Sequence, residues 1–158
     1  MTKQAEIDLL RRKAMRCNDC FGDGALSRSG PVTVPQPRPV YDGYWRASPK
    51  IALVLANPNS GAAPRDVAGN VVFDRLLRAY RDDGPYRPVA EHIRQGLLTD
   101  WFGGTFNELY LQGFGLDLDT LALANIAWCA TRQENEKQLW EPCFERHTGP
   151  LLHHVDPW

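Results

Sequence analysis

Two short apolar runs, IALVLA at 51–56 and LALANIAW at 121–128, interrupt a chain in which polar and apolar residues are otherwise mixed. Continuous apolar character over so few residues is typical of parallel strands that are covered on both faces. Apolar residues recur at helical spacing in the surrounding segments: 3–14, 71–82, 89–98, 105–113 and 136–154. This alternation of strands and helices predicts an α/β layered fold.

Two irregular segments complete the pattern. The stretch 17–50 contains five prolines and several glycines, which predicts an extended loop, although Tyr41 and Trp45 give it apolar side chains to bury. The stretch NPNSGAAPRDVAG at 57–69 is predicted as a turn-rich loop after the first strand. Because ligands bind at the carboxyl ends of parallel strands, we expect this loop and the end of the second strand to be neighbours at one site.

Length and net charge restrict the number of domains and the kinds of binding partner that we expect. The 158 residues predict a single domain spanning residues 1–158, which we expect to be a monomer. A net charge of −1 provides no overall attraction to nucleic acid, so DNA binding would require a local basic patch. The candidates for this patch are Arg11, Arg12, Lys13 and Arg16, which form either such a patch or a solvated helix face.

The chain has neither a signal peptide nor an apolar run near the ~18–20 residues of a membrane span, which predicts a cytoplasmic protein without a membrane partner.

A buried amide is predicted inside the second strand. Asn125 stands among Leu, Ala and Ile, four positions before Cys129. A buried amide must find hydrogen-bond partners or cost about 1–3 kcal/mol. Either a structural partner or a ligand with a polar edge would explain it, and the strand alone does not decide between them.

The four cysteines occur as two pairs. Cys17-x2-Cys20 lies near the start of the chain and Cys129-x13-Cys143 lies near its end. In the cytoplasm, cysteines are metal ligands or redox groups more often than disulfides. Four thiolates suit zinc or an iron–sulfur cluster, and one such centre would tie the first helix to the sheet. The alternative is two unconnected groups of thiols.

Taken together, these motifs resemble those of the iron–sulfur branch of the uracil-DNA glycosylase superfamily. Members of that branch begin with C-x-x-C, follow their first strand with a G-E-A-P-G loop that continues as E-D-x-x-G, end a later strand with N-V-V-K-C, and carry one further cysteine. The counterparts here are CNDC at 17–20, LANPN at 55–59, RDVAG at 65–69, NIAWC at 125–129 and Cys143. The resemblance spans nearly the whole chain and implies a three-layer α/β/α sandwich around a central, mainly parallel sheet.

The resemblance also implies a cofactor and a base-reading residue. It implies a [4Fe-4S] cluster, with zinc as the alternative, held by Cys17, Cys20, Cys129 and Cys143. It further implies that Asn125 presents its amide to O4 and N3–H of a flipped uracil and disfavours the amino group of cytosine. That role would explain a polar group inside an apolar strand.

Further site residues follow from the same resemblance. Asn57 would position a water molecule towards the sugar, and Asp66 would hold or activate that water. Ala56, Pro58 and Phe73 would border the base. Three of these assignments have an ordinary structural alternative: an Asn-Pro turn at Asn57, a solvated or helix-capping carboxylate at Asp66, and a core residue at Phe73.

The chain departs from the family pattern at three places. Leu55-Ala56 replaces a glycine and a polar residue. Phe73 comes one position later than the stacking phenylalanine of the family, a shift of about 100° on a helix. The sequence ends at LLHHVDPW, before the H-P-S loop of the family, so we expect the C-terminal part of the fold to be missing.

The resemblance implies a base-excision-repair glycosylase that flips uracil out of DNA and hydrolyses its N-glycosidic bond. The alternative is a non-catalytic or truncated glycosylase-like iron–sulfur protein that binds nucleic acid or a nucleotide. A zinc-stabilised α/β domain with an unrelated small ligand is a third hypothesis.

Overall fold

The computed structural model describes residues 2–21, 32–56, 64–100, 104–130 and 137–157, with backbone only for 64–69, 100, 137 and 138. The helices and strands follow in chain order: α1 (Lys3–Met15), β1 (Ile51–Leu55), α2 (Pro64–Arg81), α3 (Arg87–Gln95), β2 (Leu121–Asn125), α4 (Lys137–Cys143) and α5 (Gly149–Val155). Wide π-helical turns extend α3 over Gly96–Asp100, form Phe106–Gln112, and join α4 to α5 over Phe144–Thr148. Short 3₁₀ turns lie at Asp42–Arg46 and Leu118–Thr120.

The sheet is built around β2. Strands β1 and β2 are parallel, with Leu55 opposite Asn125. On the other edge of β2 the chain near Val40 runs antiparallel: the N–H of Tyr41 donates to the carbonyl of Leu121 at 3.2 Å, and the N–H of Leu123 donates to the carbonyl of Pro39 at 2.8 Å. Both edges of β2 are therefore paired, and all its residues are buried.

Side chains of the two strands alternate between two apolar clusters. Leu121 and Leu123 pack in one cluster with Phe73 and other residues of α2 and α3. Ala122 and Ala124 pack in the other, which contains residues of α1, α4 and α5 such as Ile7. This alternation is the two-residue period of a strand that is buried on both faces. The observed fold is thus a mixed helix and strand structure with a parallel strand pair, as the apolar pattern predicted.

The element boundaries correct the sequence expectations in two places. Residues 64–69, predicted to be part of the turn-rich loop, form the first turns of α2, because Pro64 fits the first turn of a helix, where no N–H is needed. The second strand ends at Asn125 rather than at Trp128. Its partner β1 ends at Leu55, and the pairing beyond Asn125 consists, in the described part of the molecule, of bonds from Ile126 and Ala127 to the carbonyls of Leu55 and Ala56.

Helix α1 is tied to the end of α2 by one arginine. Arg12 donates to the carbonyls of Tyr80 at 2.8 Å and Gly84 at 2.9 Å, and to the carboxylate of Asp8 at 3.0 Å. Its neighbour Arg11 is wholly buried, which corrects the expectation of a solvated face at that position. These contacts position the segment after α1, which carries the first two cysteines.

None of the helices in the described ranges combines the length and the apolar character that crossing a bilayer requires.

Candidate functional site

All four cysteines line one cleft. Cys17 and Cys20 follow the end of α1, Cys129 lies four residues after the last residue of β2, and Cys143 is the last residue of α4. Apolar side chains form most of the remaining wall: Ala14, Phe21, Pro35, Trp128, Leu139 and Pro142. Packing of α1 and α4 around the end of β2 therefore brings together two pairs of thiols that are far apart in sequence.

Trp128 connects this cleft to the sheet. Its backbone N–H donates to the Sγ of Cys143 at 3.3 Å, and its indole Nε1–H donates to the Oγ1 of Thr148 at 2.9 Å. Thr148 in turn donates to the carbonyl of Asn125 at 2.6 Å and lies 3.1 Å from that of Ile126. The turn after β2 is thus held from both sides, and a backbone donor faces one of the sulfurs.

Burial weakens the acidity of two of the thiols, Cys143 and Cys17. Burial, together with the neighbouring sulfurs of Cys129, Cys20 and Cys17, raises the pKa of Cys143 to about 12, whereas the N–H of Trp128 acts in the opposite direction. Burial also raises the pKa of Cys17, against a backbone hydrogen bond from Asp19. A metal that binds these sulfurs must displace their protons, and its positive charge would offset the cost of grouping thiolates.

Three polar residues also line the cleft: Asp19, Arg146 and His147. The side chains of Arg146 and Asp19 form a salt bridge that joins the turn after α4 to the C-x-x-C segment. His147 is buried beside Trp128, with its Nε2 lacking a hydrogen-bond partner in the described part of the chain, and burial lowers its pKa. The imidazole is therefore a neutral group with one nitrogen available near the thiols.

The four thiols of the cleft are residue types that bind zinc or an iron–sulfur cluster. Four cysteine sulfurs in a mainly apolar wall are the ligand set of such clusters. In the described ranges, no three His, Cys, Asp or Glu side chains are grouped closely enough to hold a metal ion. The cleft has a volume of about 10 Å³, which is room for about one water molecule.

The second site that the sequence predicts would lie at the carboxyl ends of the two strands. The N–H of Ile126 donates to the carbonyl of Leu55 at 2.7 Å, and the N–H of Ala127 donates to that of Ala56 at 3.0 Å. The end of β2 and the start of the loop after β1 are therefore adjacent, as the parallel arrangement predicted. Ala56 lies next to the backbone of the residues that follow Asn125.

The side-chain amide of Asn125 is hydrogen-bonded through its oxygen. The side chain is 1% exposed, and its Oδ1 accepts from Nε of Arg38 at 3.4 Å. Its Nδ2 has no hydrogen-bond partner among the residues that the structure describes. A structural hydrogen bond therefore accounts for the oxygen of this amide, whereas its amino group is buried and has no partner in the described part of the chain.

Arg38 is the site residue that sequence reasoning missed. It lies 87 positions before Asn125 in the chain, in the irregular stretch PQPRPV, so no spacing rule connects them. The only signal is a charged residue between prolines in a segment otherwise suited to burial. The backbone pairing of that segment with β2 brings the guanidinium to Asn125.

Of the other predicted site residues, the structure describes the side chain of Phe73 but not those of Asp66, Asn57 and Pro58. Phe73 is 2% exposed, and its ring stacks on His92 with 4.9 Å between centroids, in the cluster that contains Leu121 and Leu123. By the two-residue period of β2, Asn125 points to the same face of the sheet. Asp66 lies in the first turns of α2, where only the backbone is described, and Asn57 and Pro58 lie outside the described residues.

A basic cleft adjoins the cysteines. Arg16, Arg78 and Arg81 line it, together with Cys17 and Pro35, which also border the cysteine cleft. Arg78 is paired with Asp74, and Arg81 with Asp82 at the surface. The cleft thus combines three guanidinium groups beside the first C-x-x-C pair.

Comparison of this chain with protein-family models, with curated proteins and with solved structures finds no match.

Proposed function

We propose that the chain is a uracil-DNA glycosylase of the iron–sulfur type, with a three-layer α/β/α architecture. The observation that carries this proposal is the gathering of Cys17, Cys20, Cys129 and Cys143 in one cleft. The family resemblance requires these four residues to meet, although their two pairs are separated by most of the chain. Asn125 adds a buried amide at the strand end where the resemblance expects a base to bind.

The four cysteines would hold a [4Fe-4S] cluster. When bound, the cluster would supply cross-linking between the end of α1, the turn after β2 and the end of α4, rather than electron transfer. The N–H of Trp128 supports a thiolate at Cys143, because a donor 3.3 Å from the sulfur favours its charged form. The salt bridge of Arg146 with Asp19 would close the C-x-x-C segment over this centre.

Asn125 would read the flipped base. Its Nδ2 has no partner within the described residues and can donate to the O4 carbonyl of uracil, whereas the amino group of cytosine offers only another donor at that position. A buried donor that remains unpaired with the wrong base costs about 1–3 kcal/mol. Asn125 would therefore discriminate uracil from cytosine.

Bond cleavage would then be a hydrolysis. The oxygen of a water molecule would bond to C1′ of the sugar as the C1′–N1 bond breaks, uracil would leave with the bonding electron pair, and the proton released by the water would neutralise the uracil anion. The resemblance assigns Asn57 to positioning this water and Asp66 to holding or activating it. Ala56, Pro58 and Phe73 would border the base.

The basic cleft would contact the DNA backbone. Because the net charge of the chain is −1, phosphate binding depends on a local group of cations. Arg16, Arg78 and Arg81 form one beside the cysteine cleft. Cluster binding would thus order a segment that also borders the DNA-binding surface.

The test is cleavage of a uracil-containing oligonucleotide by anaerobically purified protein, followed by alkali to break abasic sites. Oligonucleotides with thymine or cytosine at the same position serve as substrate controls, and Asn125→Ala as the protein control. We expect scission at uracil alone for the wild-type chain. A brown, folded protein that gives no scission would reject the enzymatic proposal and support the non-catalytic alternative.

A further inference from the structure

The orientation of the Asn125 amide is set by Arg38. A guanidinium carries only hydrogen-bond donors, and an amide has an acceptor at one end and donors at the other. Nε of Arg38 lies 3.4 Å from Oδ1 of Asn125. Rotating the amide by half a turn would place its N–H groups against those of Arg38, so the oxygen faces Arg38 and the amino group faces away.

Arg38 is itself held firmly. On one side of it, the N–H of Gln36 donates to the carbonyl of Trp128 at 2.6 Å, and on the other, the carbonyl of Pro39 accepts from Leu123 at 2.8 Å. The carbonyl of Arg38 accepts from Nη2 of the buried Arg11 at 3.1 Å. The guanidinium is thus positioned by backbone that is bonded to β2 and to the turn after it.

Its charge is retained at neutral pH. Burial lowers the pKa of Arg38 to about 10, which still leaves the side chain cationic under physiological conditions. Arg38 therefore remains a donor at every nitrogen, and the amide orientation does not depend on a protonation change.

We propose that Arg38 is a positioning residue that locks the Asn125 amide with its amino group towards the base, and so restricts the site to bases that present a carbonyl there. This proposal rests on the proposed function of Asn125 in base reading. Uracil presents O4 at this position. The opposite amide orientation would offer an acceptor and would suit the amino group of cytosine.

The experiment compares Arg38→Gln with Arg38→Lys. The glutamine side chain can turn either its own oxygen or its amino group towards Asn125, so the lock is removed. Lysine keeps a donor-only group, so the lock is retained. The readouts are the ratio of single-turnover cleavage rates at uracil and cytosine in matched oligonucleotides, and the binding of the free bases uracil and cytosine by thermal shift.

We expect the uracil-to-cytosine ratio to fall by about tenfold to a hundredfold in Arg38→Gln, the factor equivalent to one hydrogen bond to a charged group. Arg38→Lys should recover most of that ratio. A glutamine variant that is folded and keeps the wild-type ratio would overturn the proposal, as would equal losses in both variants, which indicate only a structural role.

The two readouts separate this proposal from the proposed function. If the wild-type chain cleaves uracil but the ratio does not depend on Arg38, the glycosylase proposal stands and the positioning role is wrong. If the chain cleaves neither base but binds uracil in preference to cytosine in an Arg38-dependent manner, the positioning role stands without catalysis. If the wild-type chain binds neither base and cleaves neither, both are wrong.

Discussion

The backbone N–H of Trp128 lies 3.3 Å from the Sγ of Cys143 and donates to it. This contact joins the turn after β2 to the last residue of α4. The indole of the same residue bonds to Thr148, which also binds the carbonyl of Asn125. One tryptophan therefore links the cysteine cleft to the proposed base-reading residue. We expect a substitution at either place to alter the structure of the other.

Removal of one thiol should prevent binding of the proposed cluster. Cys143→Ser replaces a buried sulfur of the four-cysteine cleft with a hydroxyl, a poor ligand for iron. We expect the broad absorbance near about 400 nm and the bound iron, measured after anaerobic purification, to be lost.

His153→Gln is the matched control, because it changes an exposed potential ligand on α5 outside the cleft. It should keep both the colour and the iron. A Cys143→Ser protein with full iron content and unchanged absorbance would show that the cleft is not the cluster site.

Thr148→Val should destabilise the turn after β2. Valine keeps the shape of threonine but removes the oxygen that accepts from Trp128 Nε1 at 2.9 Å and donates to the carbonyl of Asn125 at 2.6 Å. Because the indole N–H is then buried and unpaired, the free energy of unfolding should fall by about 1–3 kcal/mol. Denaturant titration measures the change.

The control is Thr148→Ser, which keeps the hydroxyl and loses one methyl group, at a cost of about 0.8 kcal/mol. If the serine variant is destabilised as much as the valine variant, packing of the methyl group rather than hydrogen bonding stabilises this turn.

Arg12→Met should loosen α1 from the end of α2. The substitution removes the bonds to the carbonyls of Tyr80 and Gly84 and to Asp8. Since hydrogen bonds to charged groups contribute about 1.5–3 kcal/mol, we expect a fall of that size in the free energy of unfolding. In the loaded protein, loss of iron to a chelator should also be faster, because α1 leads into Cys17.

The control is Lys13→Met, because Lys13 is exposed and adjoins Arg12 on the same helix. This substitution should change the free energy of unfolding by about 0.5 kcal/mol or less. Equal effects of the two substitutions would mean that general charge loss, and not the contacts of Arg12, holds the helix.

The basic cleft predicts a specific salt dependence of DNA binding. Replacing both Arg16 and Arg81 with glutamine removes two of the cations that line the cleft. Affinity for single- or double-stranded DNA should fall, and the slope of log K against log salt should decrease by about 2, one for each lost phosphate contact. Fluorescence anisotropy at several salt concentrations measures both quantities.

The double variant Arg46→Gln and Lys50→Gln removes the same net charge from the last residue of the first 3₁₀ turn and the residue before β1. Its slope should remain that of the wild-type chain. If both double variants reduce the slope equally, the DNA contact is diffuse and is not centred on the cleft.

Short-range patterns predicted the regular elements because burial dictates periodicity. The continuous apolar runs became β1 and β2, and helical spacing located α1, most of α2 and the helical C-terminal segment. Boundaries were predicted less well: α2 begins at Pro64, and β2 ends at Asn125 where its partner strand ends. A strand's length depends on pairing with another part of the chain, and a window of local sequence does not contain that information.

The sequence by itself determined which residue types are available to a site: four cysteines in two pairs, and one amide in an apolar strand. Tertiary structure alone decided how they are arranged. Packing of α1 and α4 around the end of β2 brought both cysteine pairs to one cleft, and the pairing of the Pro39 segment with β2 placed Arg38 against Asn125. The physical reason is that the contact of Arg38 with Asn125 spans 87 positions, and such contacts arise from burial and backbone pairing of distant segments, which leave no periodic signal in the sequence.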